Sequence, residues 1–184
     1  IVSDNRVIPA IGVGWSKDEF ELMQQDFHTR GKRADEMIEV MRLLWSGDMV
    51  SYQGKHYQFD PMEMNPAPSQ YVPIWVGGIS NAAMKRAARI GDGWVSDLQT
   101  TAEIAECIEK IRSMRQEFGR NGDFSVMATP SDAFDVDSYK KLEDQGVTHI
   151  LTQPWPFYHG DSQDLDKKID GIRRYGDDII AAFS

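Results

Sequence analysis

Two glycine-containing stretches and one aromatic cluster hold the residue types best suited to chemistry. Gly77-Gly78-Ile79-Ser80-Asn81 follows the apolar run Pro73-Ile74-Trp75-Val76 and precedes a helical pattern. Paired glycines let a backbone approach a ligand closely, and free N–H groups at a helix N-terminus favour an anion, typically phosphate. The same residues also suit a tight strand-to-helix turn that holds no ligand. The stretch is not a Walker loop, because no Gly-Lys-Ser/Thr follows, and Gly-x-Gly-x-x-Gly does not fit it. Gly12-Val13-Gly14-Trp15 ends another apolar run. Glycine there would let a flat ring lie against the backbone; the alternative is a turn anchored by Trp15. Trp155-Pro156-Phe157-Tyr158 offers a pocket wall, a lid or an oligomer contact.

Other chemistries find little support. His28, His56, His149 and His159 are scattered without metal-ligand spacing, so no metal site is expected. No Gly-x-Ser-x-Gly elbow occurs. Most carboxylates fall on polar helix faces. Glu19 and Asp97 lie near expected strand ends, with structural roles expected for both. Gly91-Asp92-Gly93-Trp94 reads as a structural joint in which Gly91 stops a helix and Asp92 bonds turn amides.

The elements that must position these residues alternate between strand and helix. Strands are expected at Val7–Val13, with Pro9 awkward in a central strand, at 73–76, 93–96, 124–129 and 147–152. Helices are expected from apolar spacing at 34–45, 83–90, 104–118, about 138–145 and 165–183. Ser80 or Asn81 caps the second of these, and Thr100 with Glu103 forms a capping box before the third. Cys107 falls on that helix's apolar face and is expected in the core. Residues 48–72 interrupt the rhythm with a hairpin around Gln53-Gly54-Lys55 and a proline-rich excursion. Five strand–helix units in a row imply a parallel α/β sheet, either open and doubly wound or part of a (β/α)8 barrel. In both, chemistry belongs at the C-terminal ends of the strands, at Gly12, Gly14, Trp15, Gly77, Gly78, Ser80, Asp97, Thr129, Gln153 and Trp155.

Composition bounds the partners. The chain has 184 residues, with 41% hydrophobic and 27% charged, as a folded globular protein does. Its net charge of −9 argues against nucleic acid. No apolar run approaches the length of a membrane span. A single cysteine cannot form an internal disulfide, which points to a reducing cytoplasm. The first residue is Ile1 and no initiator methionine is present, so an upstream portion is expected to be absent.

Taken in order, several stretches resemble the luciferase-like monooxygenase superfamily, most closely its branch of coenzyme F420-dependent oxidoreductases. They are Gly12-Val13-Gly14-Trp15 with Glu19-Phe20, Arg30-Gly31-Lys32-Arg33 before the Glu36 to Trp45 helix, and Gly54-Lys55-His56-Tyr57. Further matches are Pro66-Ala67-Pro68 through Pro73-Ile74-Trp75-Val76-Gly77-Gly78, Ala87-Ala88-Arg89-Ile90-Gly91-Asp92-Gly93-Trp94, and the tail from Trp155 to Phe183. The resemblance implies a (β/α)8 TIM-barrel domain over residues 1–184. About five of its eight strand–helix units would be present, with an insertion at about 48–72 beside the active site. It implies that Gly77 and Gly78, with Ile79 and Ser80, hold the cofactor phosphate. It also implies that Gly14 and Trp15 approach the cofactor, and that Trp155 faces a substrate pocket. The main acid–base residue would lie in the absent N-terminal part, so no catalytic residue is assigned. The implied reaction is hydride transfer between coenzyme F420 and a small organic substrate. One alternative is an FMN-dependent monooxygenase using reduced flavin and oxygen; another is a non-catalytic barrel remnant that binds a partner or a phosphate ligand. A homodimer is the expected assembly.

Overall fold

The computed structural model describes Ser3 and residues 6–183. The chain falls into two compact units, Ile1–Val95 with Ile111–Phe124, and Ser96–Lys110 with Ser125–Ser184. The first unit holds β1 (Ala10–Ile11), α1 (Lys17–Leu22), α2 (Arg30–Leu44), β2 (Val50–Gln53), β3 (Gln58–Met62), β4 (Trp75–Gly77) and α3 (Asn81–Ile90). Two further elements, β5 (Gly93–Gln99) and α4 (Thr101–Glu117), contribute residues to both units. The second unit continues with β6 (Ser125–Pro130), α5 (Val136–Asp144), β7 (His149–Ile150), α6 (Pro156–His159) and α7 (Leu165–Asp178), closing on a 3-10 turn at Ile180–Phe183.

In the first unit β1, β4 and the start of β5 lie in that order, all parallel, with Ala10 beside Trp75 and Trp75 beside Gly93. Strand β1 is shorter than the expected Val7–Val13. Pro9 has no N–H to give a ladder, and only its carbonyl takes part, accepting from the Trp75 N–H at 2.9 Å. Helix α3 packs on β4 and buries Ala83, Met84, Ala87 and Ala88. With Ile74, Trp75, Val76, Trp94 and the α2 residues Ala34 and Ile38, these form the unit's core. Helix α1 is a correction to the sequence reading. Ser16 caps it, its Oγ accepting from the Glu19 N–H at 3.4 Å, so Glu19 stands in a helix's first turn and not beside a strand end. Six residues with no buried side chain carry too little apolar period to announce a helix.

The expected hairpin is present as β2 and β3, antiparallel. Glu36 of α2 ties it down, its carboxylate accepting from the N–H groups of Lys55 (3.0 Å), His56 (2.7 Å) and Tyr57 (3.1 Å). Burial works to raise the Glu36 pKa, but these amides outweigh it and hold the group below the usual glutamate range.

Asp92 is the unit's main polar tie. Its Oδ2 accepts from Arg42 Nη2 at 2.7 Å and from the Ile74 N–H at 2.9 Å. The Tyr71 hydroxyl reaches both oxygens at 2.9 Å, and Arg120 Nη2 lies 3.5 Å from Oδ1. Its own N–H donates to the Ile74 carbonyl at 2.8 Å. The sequence reading of Asp92 as a structural residue holds, but its reach is longer than a local turn.

In the strand order β5 is followed by β6 and β7, and in the second unit β6 and β7 run parallel with Met127 beside His149. The Thr100–Glu103 capping box forms as expected: the Thr100 N–H reaches Glu103 Oε2 at 2.8 Å, and the Glu103 N–H reaches Thr100 Oγ1 at 3.3 Å. Cys107 is buried beside Ile104 and Ile108. Strand β7 is shorter than the expected 147–152, because the Val147 N–H is taken by the Leu142 carbonyl at the end of α5. Helix α7 buries Gly171 and Tyr175 and leaves Leu165, Ile169 and Ile172 exposed. Its buried face is therefore not the isoleucine face its pattern suggested.

Burial alone would raise the Asp92 pKa; the Ile74 amide, Arg42 and Tyr71 more than offset this and hold it below the usual aspartate range. A depressed folded value stabilises the fold above the unfolded value of ~3.9, and that contribution disappears as pH falls through the folded value. Asp92→Asn should therefore cost about 2–4 kcal/mol at neutral pH by leaving Arg42 without its counter-charge. It should also flatten the loss of stability below about pH 4. Urea denaturation across pH measures both.

Candidate functional site

The turn after β4 is built from the strand outward. Gly78 has φ +115°, a backbone region that side chains rarely adopt, and an added Cβ would lie 3.1 Å from the Ala83 Cβ. Two bonds lock it: the Gly78 N–H donates to the Val95 carbonyl at 3.3 Å, and the fully buried Trp94 donates from Nε1 to the Gly78 carbonyl at 2.9 Å. Gly77 differs. Its φ is not positive, and an added Cβ would meet nothing nearer than the Ile11 carbonyl oxygen at 3.9 Å and that of Val95 at 4.0 Å. Packing within the chain therefore explains the glycine at 78 but not the one at 77.

Ser80 then caps α3, its Oγ accepting from the Ala83 N–H at 3.2 Å. A helix's first turn leaves N–H groups without intrahelical acceptors, and Ser80 takes one of them. Those of Asn81 and Ala82 are directed out of the helix end, where the dipole favours negative charge. Ile79 is exposed beside them.

Gly14 belongs to the same unit, with φ +82°. Its carbonyl accepts from Arg30 Nε at 3.0 Å, and Arg30 also donates to the Phe27 carbonyl at 2.8 Å while standing 3.6 Å above the Phe27 ring. Trp15 is 87% exposed and anchors no turn.

Trp155 belongs to the second unit, preceding α6. Its backbone lies so close to Gly171 that a Cβ there would be 2.5 Å from the Trp155 Cα, and the Lys168 ammonium stands 5.2 Å from its ring. A cavity of about 670 Å³ opens beside it, lined by Pro156, Phe157, Tyr158 and Phe134 but not by Trp155 itself. Asp97, expected at a strand end, instead lies within β5, exposed, with its Oδ1 accepting from the N–H of Leu98. Sequence reasoning missed the basic residues around Ser80: Arg30, Lys32, Lys85, Arg86 and Arg89 line a cleft that Ser80 also lines. The signal was present as Arg30-Gly31-Lys32-Arg33 and as Lys85-Arg86 with Arg89 one turn on. It became legible only once α2 and α3 were packed together.

The residues present fit an anionic group. Two outward N–H groups offer donors, Gly77 leaves room for an approach, and the turn itself contains no carboxylate. The family described as luciferase-like monooxygenase matches residues 1–168. A similar protein from Mycobacterium tuberculosis, uncharacterized, is 37% identical over 179 residues, covering 96% of this chain and 62% of its own length. The FMNH(2)-dependent dimethylsulfone monooxygenase of Pseudomonas fluorescens is 29% identical over 115 residues, 61% of this chain and 32% of that protein. The F420-dependent glucose-6-phosphate dehydrogenase of Nakamurella multipartita is 25% identical over 144 residues, 76% of this chain and 42% of that protein. Among solved structures, the coenzyme F420-dependent tetrahydromethanopterin reductase of Methanopyrus kandleri superposes with a TM-score of 0.76 at 16% identity, covering 97% of this chain and 75% of that one. The fold is therefore that of a partial TIM barrel. The chain spans about 62% of the length of the mycobacterial relatives it matches.

The two glycines of the turn should separate on substitution. Gly78→Ala should cost about 1–3 kcal/mol through backbone strain, whereas Gly77→Ala should change stability by no more than about 0.5 kcal/mol. Equilibrium unfolding of the two variants checks the contrast.

Proposed function

The chain belongs to the luciferase-like monooxygenase family, and on that footing we propose that it forms the cofactor-phosphate side of an oxidoreductase that moves hydride between coenzyme F420 and a small organic substrate. The observation that carries the reading is the turn Gly77–Asn81: an anion-ready helix start preceded by a glycine that the chain's own packing does not require. The deazaflavin, when bound, supplies the hydride chemistry.

The chain's own part is binding and placement. The outward N–H groups of Asn81 and Ala82 take the phosphate oxygens, and Gly77 leaves room for them to approach. Trp94 and Val95 hold the Gly78 peptide so that these donors are aligned before ligand arrives, which lowers the ordering cost of binding. Gly14, whose carbonyl is held by Arg30, and the exposed Trp15 would offer the cofactor ring an apolar surface. Two copies of the protein form the working assembly.

Reduced FMN is the second reading. It is favoured by the FMNH(2)-dependent relative, which is 29% identical where it aligns. The phosphate turn serves either cofactor equally, so the difference lies in chemistry at the ring and not in this turn.

Fluorescence titration of the full-length protein with F420, and separately with FMN, decides between them. Saturable F420 binding, weakened at least ~10-fold (about 1.4 kcal/mol) by Gly77→Ala with the fold unchanged, is the expected result. Binding of FMN alone would transfer the proposal to the monooxygenase reading, and binding of neither by the folded protein would remove it.

A further inference from the structure

The cleft beside Ser80 has a volume of about 440 Å³ and takes its walls from α2, α3 and the segments leading into them. Among the described residues lining it are five cations, Arg30, Lys32, Lys85, Arg86 and Arg89, against one carboxylate, Asp35. This concentration of positive charge sits on a chain whose net charge is −9.

The cluster is built into the fold. Arg86 is only 6% exposed. Its Nε donates to Asp35 Oδ1 at 2.5 Å and its Nη2 to the Gly31 carbonyl at 2.8 Å. That approach needs the glycine, because a Cβ at position 31 would lie 2.9 Å from Nη2. The remaining nitrogen, Nη1, takes no partner among the described residues. Arg89 occupies the other Asp35 oxygen at 3.2 Å, so both oxygens of the one carboxylate are spent. Arg30 is bonded to carbonyls, which orient it without cancelling its charge.

A solvated basic face ordinarily carries acids one turn away, where they pair with the lysines. That compensation is missing. One turn from Lys85 stand Asn81 and Arg89. One turn from Lys32 stand His28, Asp35 and Glu36; Asp35 is held by Arg86 and Arg89, and Glu36 is committed to the hairpin amides of Lys55, His56 and Tyr57. Like charges kept close without counter-ions repel one another, and a multivalent anion relieves that repulsion.

We propose that this cleft is an anion subsite that takes a phosphorylated small molecule. Arg86 Nη1, Lys32 and Lys85 bind the phosphate oxygens, and Arg30 and Arg89 add to the local potential. Lysine ammonium groups and a fixed guanidinium suit phosphate in particular. The inference goes beyond the cofactor reading, because none of these side chains belongs to the Gly77–Asn81 turn.

The test is isothermal titration of the full-length protein with inorganic pyrophosphate at low ionic strength, repeated for Lys32→Glu, Lys85→Glu and Gly77→Ala. Both lysines are exposed, so thermal melting should confirm that their reversals stay folded. One saturable event is expected, weakened at least ~10-fold in each lysine variant (about 1.4 kcal/mol), unchanged in Gly77→Ala, and weakened by added salt. Absence of saturable binding, or equal affinity in the lysine variants, would overturn the proposal. Loss of binding in Gly77→Ala would also overturn it, by moving pyrophosphate into the cofactor turn. Failure to bind either F420 or FMN would remove the cofactor reading and leave this one standing.

Discussion

The Asp92 carboxylate is the interaction on which the geometry of the first unit depends. It joins Arg42 from α2, Tyr71 and Ile74 from the stretch entering β4, and Arg120 from beyond α4. A half-buried charge is stable only when its oxygens are satisfied, and here both are. The paired bonds between Asp92 and Ile74, side chain to N–H and N–H to carbonyl, set where β5 begins relative to β4. From that register follow Trp75 beside Gly93 and Gly77 beside Val95, and from those the two bonds that lock Gly78. The anion-ready turn is thus the far end of a frame that starts at one aspartate.

Charge is distributed to match. Acidic side chains outnumber basic ones overall, yet the residues around Ser80 are cationic and their one acid, Asp35, serves to orient Arg86 and Arg89. Such a local field, opposite in sign to the whole, concentrates anions at the place where the helix start can bind them. The second unit contributes an aromatic cluster beside the carboxylates Asp135, Asp137 and Asp178: Phe134 meets Phe157 edge-on at 5.4 Å, and Phe157 meets Tyr175 at 5.4 Å. Burial, with Tyr139 beside it, pushes the Tyr175 hydroxyl well above the usual tyrosine range, so it stays protonated and neutral. Among the described residues no helix is long and apolar enough to cross a membrane.

The parts read correctly in advance were those governed by neighbours in the chain. Ser80 as a cap, the Thr100–Glu103 capping box, Cys107 in the core and the hairpin around Gly54 all depend on contacts within a few residues or on a repeating apolar period. The parts misread were those in which a distant partner decides. Strand β1 is cut short by Pro9, which has no N–H to give a ladder, and β7 by the Val147 N–H, which goes to the Leu142 carbonyl. Helix α1 has no apolar face to announce it. Helix α7 turns Gly171 and Tyr175 inward because Trp155 needs the space that only glycine leaves.

The sequence by itself determined the alternation of strand and helix, the family resemblance and the identity of the turn Gly77–Asn81, because local spacing and residue type are enough to specify each. Only the tertiary structure decided that Gly78 is required by packing while Gly77 is free for a ligand. Only it decided that Asp92 gathers partners from positions 42, 71, 74 and 120, and that lysines and arginines 50 residues apart share one cleft. Those outcomes depend on which helix faces which, and that is set by the packing of α3 on β4 and of α2 on α3 and not by any short stretch of the chain.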